Sequence, residues 1–289
     1  MTTLFQTIVL VLVSLAQGLM GTISGGGGGL FAVPAMVSTI NEQPSVLVGS
    51  VFLMYLATSI TGLIVYSRKK LVDYRSGIIL SIPTIPGVAI GTLLEGTISN
   101  FEFRLGLGLV TGFFAILMVT YRNRDTSGIP HVNPASAPGP NSESSATKLQ
   151  SNSRQKMLID GSGRSFSYTP HFAIGLVINF AAGVLSGLFG AGAAIIIVPT
   201  TILLVKLPSH IALATSRIIL MMLNISALVT HIGIGAINAY YAVILAIGAA
   251  VGAVIGARIA FKIHPEHLSK VIAAILFLLG GYLVISLFV

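Results

Sequence analysis

Two glycine-rich breaks, each followed by a Val-Pro pair, interrupt apolar stretches of this chain. The first is Gly25-Gly26-Gly27-Gly28-Gly29 ahead of Val33-Pro34, and the second is Gly190-Ala191-Gly192 ahead of Val198-Pro199. Glycine and proline both weaken a helix, so neither break fits an uninterrupted span. The copies lie 165 residues apart, and Gly18/Gly183, Gly87/Gly252 and Gly91/Gly256 keep that offset. A fixed offset shared by so many residues of special conformation points to an internal duplication. Paired breaks in the two halves of a membrane chain are the sequence pointer to a transporter's binding site.

Composition places the breaks in a bilayer. Of 289 residues, 54% are hydrophobic and 8% charged, against about 25% charged in a soluble domain. The apolar stretches exceed the roughly 18–20 residues that cross a membrane as a helix. They lack the alternation of an outer-membrane barrel. Met1 to Thr7 carries no Lys or Arg, which argues against a signal peptide. The net charge of +8 sits at Arg68-Lys69-Lys70, Arg122/Arg124, a central polar interval and Arg258/Lys262. These flank apolar spans, so they are read as topology signals and lipid contacts. No nucleic-acid motif accompanies them. Zero cysteines exclude disulfides, thiolate metal sites and iron–sulfur clusters, and no metal site or cofactor is expected.

Helical segments are expected at about 4–24, 29–40, 45–67, 75–96 and 101–121, then at 171–189, 193–205, 209–231, 239–260 and 267–288. The fold class is therefore an all-α polytopic membrane protein of two duplicated halves with about five segments each. Residues 1–121 form the first repeat, 122–169 a flexible polar linker on the cytoplasmic side, and 170–289 the second repeat. The second segment of each half spans only about 18–20 Å, short of the ~30 Å hydrocarbon core. Either the first two segments form one broken span, giving parallel halves of four crossings, or they form a hairpin, giving odd parity and inverted halves. The parallel arrangement puts Lys206, Arg258, Lys262, Lys270 and Arg104 outside; the inverted one leaves only Arg104 there. The positive-inside rule favours inverted repeats.

Helices starting near Leu30 and Ala193 would present unpaired N–H groups and partial positive charge, which suit an anion. Each such end contributes only about 0.3–2 kcal/mol, so a buried anion also needs a cation. Arg217 is the one Lys or Arg well inside an apolar segment, and intramembrane ionisable residues are functional candidates. The bland alternative is an arginine bonded to backbone carbonyls at a helix break. Thr215 and Ser216 adjoin it, and Gly49 and Ser50 occupy the corresponding region of the first half. Tight helix packing explains Gly87/Gly91 and Gly252/Gly256. Asn179 and Asn224 are read as interhelical bonding residues. His231, whose repeat counterpart is Tyr66, is read as interfacial rather than proton-coupled. Glu42, Asp73, Glu95 and Glu102 all fall near span ends, so a carboxylate relay is unsupported, with a deeper Glu95 as the open alternative.

These residues resemble the sulfite exporter TauE/SafE family of membrane transporters. The likeness rests on Ser24 through Gly29 before Val33-Pro34, on Leu185-Ser186-Gly187-Leu188-Phe189-Gly190-Ala191-Gly192 before Val198-Pro199, and on Ala212-Leu213-Ala214-Thr215-Ser216. It covers both hydrophobic halves. The resemblance implies a transporter of small sulfur-containing anions, typically sulfite or sulfonates, often moved outward. It implies a broken-helix region at Gly25, Gly27, Pro34, Gly190, Gly192, Pro199, Thr215 and Ser216. Ala191, Ala193 and Ala194 stand where the family tends toward glycine, so the two breaks need not contribute equally.

Two other functions use the same residues. A passive anion channel could be lined by the same donors. An intramembrane hydrolase could use Ser24 or Ser186 with His231 as base, but neither serine lies in a G-x-S-x-G elbow. No G-x-x-x-x-G-K-[ST] loop is present, so energy would come from an ion gradient, of protons or sodium, or from the substrate's own gradient. A homodimer is one candidate assembly, and the oligomeric state stays open.

Overall fold

A computed structural model of the chain describes residues 4–24, 32–40, 42–122, 156–159, 165–168, 172–190, 193–205, 207, 209–259, 277, 278, 281, 282 and 285. It is helical apart from one small hairpin. In chain order the helices are α1 (Leu4–Ser24), α2 (Ala32–Thr39), α3 (Pro44–Arg68), α4 (Tyr74–Ser81), α5 (Thr84–Glu95) and α6 (Asn100–Arg122). After the hairpin come α7 (Phe172–Phe189), α8 (Ala193–Pro199), α9 (Ser209–Gly233) and α10 (Ala239–Ile259). Among the described residues six stretches are long and apolar enough to cross a membrane, α4 and α5 counting together as one. The expected segment at 267–288 lies largely outside the described residues.

Local chemistry sets the ends of these helices. Asp73 caps α4 by accepting from the Ser76 amide at 3.1 Å. Asn238 caps α10, its Oδ1 accepting from the amides of Tyr240 and Tyr241. Ser99 and Glu102 form a capping box at α6, the Glu102 carboxylate accepting from the Ser99 amide at 2.8 Å and the Ser99 hydroxyl accepting from the Glu102 amide at 3.3 Å. Each such cap satisfies N–H groups that a helix start leaves orphaned.

Two departures from the sequence expectation have plain causes. The stretch read as one segment at 75–96 is divided between α4 and α5, because Pro83 has no N–H and its ring crowds the preceding turn. The freed carbonyls find side chains: Thr84 Oγ1 donates to Ser81 O at 2.6 Å, and Asn179 Nδ2 on α7 donates to Leu80 O at 3.1 Å. The interval 122–169 is also not featureless. Strands β1 (Lys156–Ile159) and β2 (Ser165–Tyr168) pair antiparallel, with Lys156 opposite Tyr168. Ser-Phe-Ser-Tyr alternates polar and aromatic residues with the period of a strand, a signal that the composition of the interval had outweighed. Its remaining residues lie outside those described.

The packing has a repeated logic. Gly18 of α1 lies against the backbone of Ala249 and Ala253 on α10, and Gly183 of α7 lies against Thr84 and Val88 on α5. Gly87 meets Phe180 and Val184, and Gly252 meets Leu15 and Leu19. Each contact set is the other displaced by 165 residues, the separation that also divides the bonded pair Ser59 and Asn224. A Cβ at Gly91 would overlap the Val184 carbonyl oxygen, so glycine is what lets these backbones approach. The connections share the offset too: Lys70 between α3 and α4 has φ 55, and Gly235 between α9 and α10 has φ 70.

These contacts fix relative directions. Numbering rises together along α1 and α10, which are therefore parallel. Along α3 and α9 it runs oppositely, for Phe52 meets His231, Ser59 meets Asn224, and Tyr66 meets Arg217. Helices α9 and α10 turn back on each other through the short 234–238 connection, placing the start of α10 beside the start of α3, where Asn238 bonds Ser50. Consequently α1 and α3 run in the same direction. Helices α3 and α9 are the most enclosed of the six, while residues such as Leu12, Ile64, Val229 and Ile247 face outward, as a lipid-facing surface requires.

Candidate functional site

Arg217 lies in the first half of α9, 1% exposed and the largest fully buried side chain of the described residues. Its Nη2 donates to Gly21 O at 2.8 Å and to Thr22 O at 3.2 Å. Those carbonyls belong to the last turn of α1, where a helix leaves C=O groups without partners and presents partial negative charge. The guanidinium carbon lies 5.8 Å from the centre of the Tyr66 ring, within cation–π range. Gly62 makes room for it, since a Cβ there would sit 3.2 Å from Arg217 Cδ and Nε. The bonding to break carbonyls weighed as the bland alternative is therefore present. It is incomplete, however: among the described residues Arg217 Nε has no hydrogen-bond partner, and His231–Glu95 is the ion pair found there. A buried charge without an ionised partner is costly, and this one lies against the last turn of α1.

The second break meets the first half near the start of α3, at the end of the α3–α9 contact away from Arg217. Gly190 ends α7 with φ 64, and its amide donates to Ser186 O at 2.8 Å. A Cβ at Gly190 would lie 2.7 Å from Val48 Cγ1 and 3.1 Å from Val33 Cγ2. Val33 belongs to the Val-Pro pair that follows the first break, so α2 packs against the end of α7. Pro34 is buried within α2. Pro199 closes α8, and the backbone continues as a π turn over Thr200–Leu204, with the Val205 amide reaching Thr200 O at 3.0 Å. Gly25, Gly27 and Gly192 lie outside the described residues.

The hydroxyl residues are engaged within the protein. Ser50 accepts from the Asn238 amide at 3.1 Å, and Thr215 accepts from the Asp73 amide at 3.1 Å. These are the same contact displaced by 165 residues: each ties the cap of a following helix to a central one. Ser216 donates to Ala212 O at 2.6 Å and lies 3.3 Å from Thr201 Oγ1. Gly49 lies against Ala236 and His231. Thr215 and Ser216 therefore position the elements beside Arg217, and Gly49 and Ser50 those beside His231.

Asn179 and Asn224 make the interhelical bonds expected of them. Asn224 Nδ2 donates to Ser59 Oγ at 3.1 Å, joining α9 to α3. Asn224→Ala should lower unfolding stability in detergent micelles by about 0.6–1.7 kcal/mol, the range of such bonds in membranes. Chemical denaturation followed by circular dichroism measures it, and an unchanged midpoint would show the bond to be dispensable.

His231 lies in the last turn of α9, where it is 0% exposed, and its Nε2 lies 3.2 Å from Oε2 of Glu95, itself 4% exposed. Its Nδ1 faces Ala227 O at 2.8 Å. Both ring nitrogens are thus taken by groups other than a serine, leaving neither free to serve Ser186 as a base. Sequence reasoning missed Gly62, Tyr66 and the pairing of Glu95. The signal was available: in inverted halves, residues equally spaced on either side of Ser59 and Asn224 must meet, which pairs Arg217 with Tyr66.

Six helical stretches long and apolar enough to cross a membrane define the class as a multi-pass membrane protein. Residues 10–283 match the family described as sulfite exporter TauE/SafE, and the chain belongs to that family. It is 28% identical to "Probable membrane transporter protein YunE" of Bacillus subtilis (strain 168) over 96% of this chain and 97% of that protein. It is 22% identical to "Probable membrane transporter protein MJ0441" of Methanocaldococcus jannaschii, over 96% and 95% respectively. No solved structure matches the chain.

Proposed function

We propose that the protein is a secondary transporter exporting small sulfur-containing oxyanions, sulfite or organosulfonates, with the anion held against Arg217 at the first glycine break. The observation that carries this reading is the buried guanidinium at the first break, with an unpartnered Nε. An oxyanion would supply the missing acceptor and charge. In this reading Gly25, Gly27, Pro199, Thr215 and Ser216 belong to that end, and Pro34, Gly49, Ser50, Gly190 and Gly192 to the related end beside His231. The family's description supports the choice of sulfur.

We read residues 1–121 and 170–289 as inverted repeats joined by 122–169. The antiparallel meeting of α3 and α9 about Ser59 and Asn224 supports this. A twofold axis relating two antiparallel spans lies in the membrane plane, the arrangement of inverted-repeat transporters. Alternation of access would then expose the Arg217 region to each side in turn.

The test is a ligand panel on purified protein: sulfite, thiosulfate, ethanesulfonate, sulfate and acetate. Binding to the folded state stabilises it by mass action, about 2.7 kcal/mol at a hundredfold excess over Kd. Sulfite or ethanesulfonate should raise the melting temperature above the effect of sulfate and acetate, and flux into proteoliposomes should saturate. Equal shifts from every anion would overturn the sulfur specificity, and flux without saturation would overturn the carrier.

A further inference from the structure

We propose that Glu95 and His231 form a buried proton-binding site that couples proton movement to anion transport. The proposal rests on the reading of the chain as an anion transporter, and it names the coupling ion and the residues that hold it. Its basis is a constraint on hydrogen positions. The carbonyl of Ala227 can only accept, so the hydrogen at the 2.8 Å contact sits on His231 Nδ1. The Nε2 of a neutral ring is then a lone pair, and it faces Glu95 Oε2 at 3.2 Å. Two lone pairs cannot hold that distance without a proton between them. The pair therefore carries one proton here, as imidazolium with carboxylate or as imidazole with carboxylic acid.

Losing that proton would set a buried carboxylate against a lone pair, a costly arrangement away from water. The pair must then part or admit water. Two further atoms offer Glu95 somewhere to turn. Its Oε1 and the Thr92 hydroxyl, one helical turn earlier on α5, are both buried without a hydrogen-bond partner. The surroundings supply no competing charge among the described residues. Helix α3 presents Gly49 and the Phe52 ring, the latter 5.2 Å from the His231 ring between centroids. Tyr55 stands edge-on to Phe52, and the 234–238 connection contributes the Ala236 carbonyl. At the starts of α3 and α10, Glu42 and Tyr241 are bonded to each other.

Position connects the proton to transport. Glu95 lies in the first half and His231 in the second, so the pair bridges elements that a change of access would move. His231 also shares α9 with Arg217, about 21 Å away at 1.5 Å per residue. The two sites are related places in the fold: Phe52 and His231 stand where Arg217 and Tyr66 stand at the other end of the α3–α9 contact. One end carries a fixed cation and the other an exchangeable proton.

The test uses full-length protein in proteoliposomes containing a pH-sensitive dye, with ethanesulfonate as probe because its charge does not titrate. An imposed pH gradient should drive ethanesulfonate accumulation, and an ethanesulfonate gradient should move protons. Glu95→Gln places a permanent N–H against Nε2 and so mimics the loaded pair. It should lose gradient-driven accumulation by about tenfold or more, within ordinary coupling ranges, while labelled ethanesulfonate exchange persists. His231→Gln should behave alike. Accumulation by Glu95→Gln equal to that of the wild type would overturn the proposal. A second measurement needs no substrate: infrared titration of the purified protein should show a carboxyl band that Glu95→Gln removes and His231→Gln shifts. If Glu95→Gln leaves every titrating carboxyl band in place, the proton site fails. If the band behaves as expected but the wild type moves no ethanesulfonate, the sulfonate reading fails and the proton site stands.

Discussion

Arg217→Gln should remove sulfonate flux while leaving a folded protein. Glutamine keeps an amide that can serve a carbonyl of Gly21 or Thr22, so part of the cap on α1 survives. What it lacks is the charge and the fork. Truncating one partner of a buried charge pair costs about 2–5 kcal/mol, which is about thirtyfold or more in affinity. Arg217→Lys separates the two contributions. It retains a cation but cannot span two carbonyls and a ligand together, so it should recover part of the binding. Ethanesulfonate flux in proteoliposomes, with melting temperature as the folding control, gives the comparison. Wild-type flux in a well-folded Arg217→Gln protein would confine Arg217 to holding the end of α1.

Much of this arrangement is legible in the sequence because its determinants are local or periodic. Segment boundaries near residues 24, 68 and 189 follow from apolar runs ending at glycines or cations, and the helices end close to them. The offset of 165 marks Gly18, Gly87, Gly183 and Gly252, and the structure uses these glycines for reciprocal close approach. Arg217 stands out because a cation inside an apolar segment is rare. The rest depends on pairing across the fold. Glu95 ends its span, as its place in the sequence suggests, but its partner appears only when α9 brings His231 to it, with Phe52 and Gly49 covering that ring. Charge bias favours inversion only weakly, whereas three contacts along α3 and α9 give the relative direction of the helices. The division between α4 and α5 was readable at Pro83. An apolar run on both sides concealed it, because hydropathy does not register a missing N–H.

Gly190→Val should be the most damaging single change at the breaks. Two penalties act together at this position. The backbone holds φ 64, a region that a β-branched residue enters at a cost of about 1–3 kcal/mol. A side chain would also be driven into Val48 and Val33, and overpacking of this kind costs about 1–3 kcal/mol more. Gly190→Ala shares the backbone strain but meets only the nearest valine methyls, so it should be milder. Gly112→Ala is the control. Nothing lies within 4 Å of a Cβ there, and alanine is the better helix former by about 0.8–1.0 kcal/mol, so its stability should hold or rise. The pair Gly190→Ala with Val48→Ala then divides the cause. If crowding dominates, the double variant should regain stability relative to the sum of the single changes, a coupling that a double-mutant cycle reads directly. Strict additivity would assign the whole loss to backbone strain. Because Gly190 also rests on Val33, a loss of ethanesulfonate binding larger than the loss of stability would mark this contact as part of the site, and equal losses would mark it as packing alone.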